Sequence, residues 1–368
     1  MTRQTNSVAD ELKIRSVTMP NRLWMAPMSQ YSSPPDGGVA DWHLIHLGAR
    51  AVGGAGLILT EATAVTPVGR MSESDLGIWS DDHVDGLTRL TGAIEASGAV
   101  AGIQFGHAGP KASAHRPWEA RGIRVPPENG GWLPQSPSAR PGGSPVHEMS
   151  AAEITDIVTA FADAARRALA AGFRVLEIHA AHGYLIHSFL SPATNRRDDR
   201  YGGEQGRRRL AIEVVTAVRE VWPEWLPLFV RLSATDWLTP ENGRPNGLDV
   251  DDVIDVVQAL LPLGVDLIDV SSGGLLPTRR IDTYPGYQIP FASKIRQATS
   301  ALVAGVGLIE DAQHAESIVR GGAADALFVG RAMLRNPNWA RDTLHQLGHR
   351  PAWPRQYDWA IGPRKVLD

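Results

Sequence analysis

Short apolar runs that each follow a glycine-closed helix recur along the whole chain, and they constrain the fold more than any other feature. The join appears at Gly53-Gly54-Ala55-Gly56-Leu57-Ile58, Gly98-Ala99-Val100, Gly172-Phe173, Gly264-Val265-Asp266-Leu267-Ile268 and Gly321-Gly322. Glycine there supplies the left-handed residue that ends a helix. Eight runs read as strands: Leu23–Met28, Leu57–Glu61, Val100–Gln104, Val175–His179, Leu228–Leu232, Leu267–Ser271, Leu302–Val306 and Ala326–Gly330. Helices follow most of them, which predicts an α/β protein with a parallel sheet. Eight such units suggest a (β/α)₈ TIM barrel rather than an open, doubly wound sheet.

The helix starts are marked as well. Ser150 with Glu153 predicts a capping box, and Ile154, Ile157, Val158, Phe161 and Ala165 keep one apolar face up to Gly172. Asp249 and Asp311 open two more helices. The 368 residues, 43 % hydrophobic and 21 % charged, suit one large domain over residues 1–368. Two segments rich in Pro, Gly and Trp, residues 111–149 and 275–290, read as excursions over the strand ends, and residues 347–368 as a C-terminal tail.

Composition narrows the function classes. A net charge of −4 argues against nucleic acid or an anionic membrane surface as partner. The absence of cysteine excludes disulfides, thiolate metal sites, cysteine-held iron–sulfur clusters and a cysteine nucleophile. With no apolar leader and no membrane-length apolar run, a cytoplasmic protein is expected. No G-x-G-x-x-G follows a strand and no G-x-x-x-x-G-K-[ST] occurs, so a Rossmann or P-loop reading has no support.

The chemistry concentrates in His179-Ala180-Ala181-His182-Gly183-Tyr184, just past the fourth run. In a (β/α)₈ barrel the loops at the strands' C-terminal ends build the site. Here those ends carry Met28-Ser29, Glu61-Ala62, Gln104, His179, Arg231, Ser271-Ser272, Gly305-Val306-Gly307 and Gly330-Arg331. Glycines after the last two strands let backbone N–H groups approach an anion, and Arg331 adds a bidentate donor. A metal-dependent hydrolase using His179, His182 and His187 is the competing reading, although no H-x-H ends the first strand. A ligand-binding barrel without catalysis is a third.

Several stretches resemble the old yellow enzyme family of FMN-dependent ene-reductases, in its bacterial subgroup that includes the xenobiotic reductases. They are Asn21-Arg22-Leu23, Ala26-Pro27-Met28-Ser29-Gln30-Tyr31, Glu61-Ala62-Thr63, Gly77-Ile78-Trp79-Ser80-Asp81, Gln104 to Lys111, His179 to Leu185, Asp199-Arg200-Tyr201-Gly202-Gly203, Val230-Arg231, Ser271-Ser272-Gly273 and Val329-Gly330-Arg331. The resemblance implies FMN as cofactor, NADPH or NADH as reductant, and an activated alkene, an α,β-unsaturated carbonyl or nitro compound, as substrate. It places Ala26, Pro27, Met28, Ser29, Ala62 and Gln104 along the isoalloxazine, Arg231 beside N1 and O2, and Gly307, Gly330 and Arg331 at the phosphate. His179 and His182 are implied donors to the substrate oxygen, Tyr184 the proton donor, and Tyr31 a second phenol over the substrate. No metal is implied. Ser29 stands where the subgroup commonly has cysteine, and Pro110 where a basic residue is usual before Lys111. Trp359 occupies the C-terminal region from which relatives extend an arginine into a neighbouring subunit, so an aromatic intrusion within a homodimer or homotetramer is expected.

Overall fold

The structure, a computed structural model, describes residues 6–139, 144–238, 247–276 and 281–361, so parts of both excursions and of the tail lie outside the described residues. Eight parallel strands close into a barrel: β1 (Leu23–Met25), β2 (Leu57–Ala64), β3 (Val100–Gly106), β4 (Val175–Ala180), β5 (Leu228–Ser233), β6 (Leu267–Ser271), β7 (Leu302–Gly305) and β8 (Ala326–Val329). Each pairs with its sequence neighbour, and β8 closes on β1. All eight expected strands are present, and the (β/α)₈ reading holds.

Their ends differ from expectation for identifiable reasons. β1 stops at Met25 rather than Met28, because Pro27 has no N–H to give the ladder. β2 runs on to Ala64, since a register shift between Leu59 and Ala62 lets the strand bend and keep pairing with β3.

Strands buried on both faces need mainly apolar sequence, and here they have it, with Glu61, Gln104, Glu177, Arg231 and Asp269 as the charged or amide exceptions. Trp24 fills the barrel, stacked on Phe229 with centroids 6.0 Å apart and edge-on to Phe328 at 5.4 Å. Around the outside, α1 (Asp41–Val52), α2 (Val84–Ala96), α3 (Ala151–Ala170), α4 (Arg209–Val221), α5 (Val250–Leu260), α6 (Ile289–Thr299) and α7 (Ala312–Arg320) cover the strands. The Ser150 box caps α3, with Ser150 N donating to Glu153 Oε2 at 2.7 Å. Asp249 accepts from Asp251 N and Asp252 N at the start of α5, and Asp311 from His314 N at the start of α7.

A hairpin, Leu12–Ile14 with Val17–Met19, lies at the strands' N-terminal end, where Arg15 Nε donates to Asp266 Oδ1 at 2.6 Å and Ser16 N to Trp225 O. That leaves the opposite end open for a ligand. No described helix is long and apolar enough to cross a membrane.

Candidate active site

Among the residues at the mouth, Tyr31 at φ 53°, His182 at φ 60° and Leu308 at φ 53° have left-handed backbones that side chains rarely adopt. Such strain persists only where neighbours over-determine it. For Tyr31 the anchor is Glu61, within β2. Its Oε2 accepts from Gln30 N at 2.8 Å, and its Oε1 meets His43 Nε2 of α1 at 3.1 Å. For His182, the backbone N donates to Ser233 Oγ at 3.0 Å and the carbonyl accepts from Lys111 Nζ at 2.7 Å. Lys111 Nζ also donates to Gly274 O, so it ties the loops after β3, β4 and β6 together.

The two phenols converge. Tyr184 Oη lies 3.4 Å and Tyr31 Oη 3.9 Å from the same sulfur, Met71 Sδ. Tyr184 also packs edge-on against His179, centroids 4.7 Å apart. Burial, then the neighbouring phenol and carboxylates, pushes the Tyr184 hydroxyl well above its ordinary range. Burial and Asp75 push Tyr31 up to about 12. Both therefore stay protonated at neutral pH. Ser29, Ala62, Met71, Asp75, His107 and Tyr184 wall one small cavity. Asp75 is buried and accepts from Met71 N and Ser72 Oγ, both at 2.7 Å. Burial, then Glu61, raises it to about 7.

On the far side of the mouth a cavity of 160 Å³ brings Arg231, Tyr287, Gln288, Gly307, Gly330 and Arg331 together. Gly307 adopts φ 132°, and a Cβ there would press on Gln288 Nε2 and the Tyr287 ring at 3.2 Å. Gly330 backs onto Met28 and Ala26, where a Cβ would lie 3.5 Å from Met28 Sδ. Buried Arg231 holds its Nε 3.1 Å from Asp269 Oδ2 but off the hydrogen-bond axis, so both atoms lack a directed partner. Gln104 Nε2 donates to Glu177 Oε1 at 2.7 Å, leaving Glu177 Oε2 unpartnered. Burial, then the charge of Asp269, raises the Glu177 carboxyl well above the usual carboxylate range. Open backbone at two glycines, an arginine at the rim and an under-satisfied buried arginine fit a phosphorylated cofactor with a polar head group such as FMN.

Of the residues expected from sequence, Ala26, Met28, Ser29, Tyr31, Ala62, Gln104, His179, His182, Tyr184, Arg231, Gly307, Gly330 and Arg331 all stand at this mouth, with Pro27 between Ala26 and Met28. Trp359 does not join them. It is 86 % exposed, two residues beyond Tyr357, which lines an 840 Å³ cavity with Asn21, Gly54 and Gly98 below the N-terminal ends of β1–β3.

The metal-hydrolase reading fails. His187 Nδ1 accepts from Gly183 N at 2.7 Å, which puts its proton on Nε2, 2.8 Å from Asp236 Oδ1. Both ring nitrogens are thus used in the core, and the described residues hold no cluster of metal-ligating groups.

Sequence reasoning missed Met71, Asp75, Glu177, Asp269 and Gln288. A signal existed for two of them: Val175-Leu176-Glu177-Ile178 and Leu267-Ile268-Asp269-Val270 each carry one carboxylate inside an otherwise apolar strand.

Comparison with known proteins agrees with this geometry. The NADH:flavin oxidoreductase / NADH oxidase family matches residues 10–349. An NADPH dehydrogenase of Geobacillus thermodenitrificans (strain NG80-2) is 47 % identical over 346 residues, covering 94 % of this chain and 95 % of the relative. The structure of an old yellow enzyme homologue from Zymomonas mobilis superposes with a TM-score of 0.75 at 25 % identity, covering 95 % of this chain and 98 % of that one. A 2-naphthoyl-CoA reductase in complex with 2-naphthoyl-CoA gives a TM-score of 0.82 at 25 % identity and covers 94 % of this chain, which spans only 53 % of that longer protein.

Proposed function

Because the chain belongs to the NADH:flavin oxidoreductase / NADH oxidase family and is an FMN-dependent oxidoreductase of the old yellow enzyme type with a nicotinamide reductant, we propose that it reduces the activated C=C bond of α,β-unsaturated carbonyl or nitro compounds. The observation that carries this reading is the convergence of the Tyr31 and Tyr184 hydroxyls on Met71 Sδ beside the His179–His182 pair. FMN, when bound, supplies the hydride.

Every remaining role belongs to the chain. Gly307, Gly330 and Arg331 hold the phosphate through backbone N–H groups and the guanidinium. Ala26, Pro27, Met28, Ser29 and Ala62 line the ring system, with Gln104 and Arg231 at its polar edge. His179 and His182 hold the substrate's carbonyl or nitro oxygen, and an N–H donor placed where negative charge develops contributes about 3 kcal/mol in other enzymes. Tyr184 gives its proton to the substrate's α-carbon. Its buried, still-protonated phenol sits at the cavity wall, the state a general acid needs. Tyr31 closes the cavity from the other side. Trp359, exposed and remote from its own mouth, enters a neighbouring subunit's site in this reading, with a homodimer or homotetramer as the active form.

Anaerobic titration tests the reading. Flavin absorption should bleach with NADPH and return on addition of cyclohexenone. Bleaching with no return for any activated alkene would refute the assigned substrate class while leaving the family intact.

A further inference from the structure

The two imidazoles expected to grip the substrate oxygen are turned to each other, and their hydrogen bonds fix where each proton sits. His179 Nδ1 accepts from Ala181 N at 3.1 Å, so the neutral ring carries its proton on Nε2. That N–H meets His182 Nδ1 at 3.2 Å, which makes His182 Nδ1 the acceptor. The His182 proton is therefore on Nε2, 2.6 Å from Ser271 Oγ. Ser271 in turn donates to Gln288 Oε1 at 3.3 Å, and Gln288 Nε2 to Val306 O at 3.1 Å. The donors run in one direction, from the β4 loop to the end of β7.

In that state the pair has no second N–H to offer. Burial, then the charge of Arg231, keeps both rings uncharged, so a second donor cannot come from protonating one of them. It requires the other tautomer of His182, with the proton on Nδ1 and a lone pair on Nε2. A buried lone pair needs a donor. Ser271 is the partner recorded at Nε2, and a hydroxyl can reverse its sense. Reversal costs Ser271 only its longer bond, because Gln288 Oε1 keeps Ser272 Oγ at 2.7 Å.

We propose that Ser271 is a positioning residue for the substrate oxygen. Its hydroxyl turns from Gln288 to His182 Nε2 when an oxygen binds, so that His182 offers Nδ1–H beside His179 Nε2–H. One proton leaves Nε2 and one arrives at Nδ1, with water as carrier. The ring stays neutral and Ser271 keeps its own proton. The proposal rests on the reading of His179 and His182 as donors to that oxygen.

The test uses holoenzyme labelled with ¹⁵N-histidine and 4-chlorophenol as probe. The ring-nitrogen shifts of His182 should report the Nε2–H tautomer in the free enzyme and Nδ1–H in the complex. Ser271→Ala should weaken the phenol Kd by about tenfold, the cost of one unpartnered buried nitrogen. Ser271→Thr, which keeps the hydroxyl, should stay within about threefold of wild type. Flavin absorbance verifies that each variant is folded and loaded. An Nε2–H tautomer that persists in the complex, or wild-type phenol affinity in Ser271→Ala, overturns the proposal. If the His179→Ala, His182→Ala double variant also binds phenol normally, the two-donor reading itself is wrong. If the double variant binds weakly and Ser271→Ala does not, only the hydroxyl reversal is wrong.

Discussion

Asp75→Asn should make the protein more stable, by a margin that grows with pH. The Asp75 carboxyl is buried among Met71, Ser72, Tyr31, Tyr184 and Glu61, with Arg70 and His107 as the other charged or titratable neighbours. Burial, then the Glu61 charge, raises it from 3.8 to about 7 in the fold. A raised carboxyl works against the folded state once the unfolded chain ionises. Its contribution is intact below pH 3.8, is lost progressively as pH rises, and levels off above about 7. Between pH 5 and pH 8 that difference integrates to about 2–3 kcal/mol lost by the wild type. Asparagine does not ionise and can still accept from Met71 N, so the variant escapes this slope. Any packing offset of the substitution is independent of pH, and the groups common to both proteins cancel in the difference. Urea denaturation at pH 5, 6, 7 and 8 with FMN in fixed excess measures it. Parallel stability curves, or a variant that falls behind as pH rises, would refute the argument that burial raises this carboxyl in the fold.

The other expectations are shorter to state. Tyr184→Phe should slow alkene reduction by about 10²-fold or more while flavin reduction by NADPH stays near wild type; equal loss in both half-reactions removes Tyr184 as proton donor. Arg331→Ala should weaken FMN binding to the apoprotein by about tenfold, since a bidentate phosphate contact is lost; unchanged affinity by fluorescence titration would place the phosphate elsewhere. Trp359→Ala should alter the Michaelis constant for the alkene, and a strictly monomeric enzyme in sedimentation would undo the idea that Trp359 enters a neighbour.

The barrel was legible because burial on both faces leaves each strand mostly apolar, and because glycine joins and side-chain caps punctuate the helices. Ser150, Asp249 and Asp311 each cap the helix assigned to them. The mouth was legible for a related reason. A polar residue in the C-terminal half of an otherwise apolar strand lies toward the mouth of a closed barrel, so His179, Arg231 and Gln104 could be put there from order alone. Contacts made by loops that fold back were not legible. Met71 lies in the loop after β2, far in sequence from Tyr31 and Tyr184, and nothing in its neighbours announces that two phenols will meet its sulfur. The His182–Ser271–Gln288 path likewise depends on which ring nitrogen carries a proton, a property of the folded site and not of residue order.

The mouth is held by backbone anchoring more than by packing of the reactive side chains themselves. Tyr31, His182 and Tyr184 are mostly buried but each keeps some surface uncovered, and the backbone beside each is fixed by a side chain: Glu61 holds Gln30, Ser233 and Lys111 hold His182, and His187 holds Gly183. Each left-handed residue costs about 1–3 kcal/mol, and these buried, directed bonds offset it. The cost has a functional counterpart. A phenol or imidazole kept in place by its backbone can leave one face of its ring uncovered, where a substrate must lie. A site fixed by side-chain packing alone would have to bury that face. The same logic leaves His187, Asp236 and Glu61 without a chemical step in the proposed reaction although they are titratable and close to the mouth: their hydrogen bonds hold the chain.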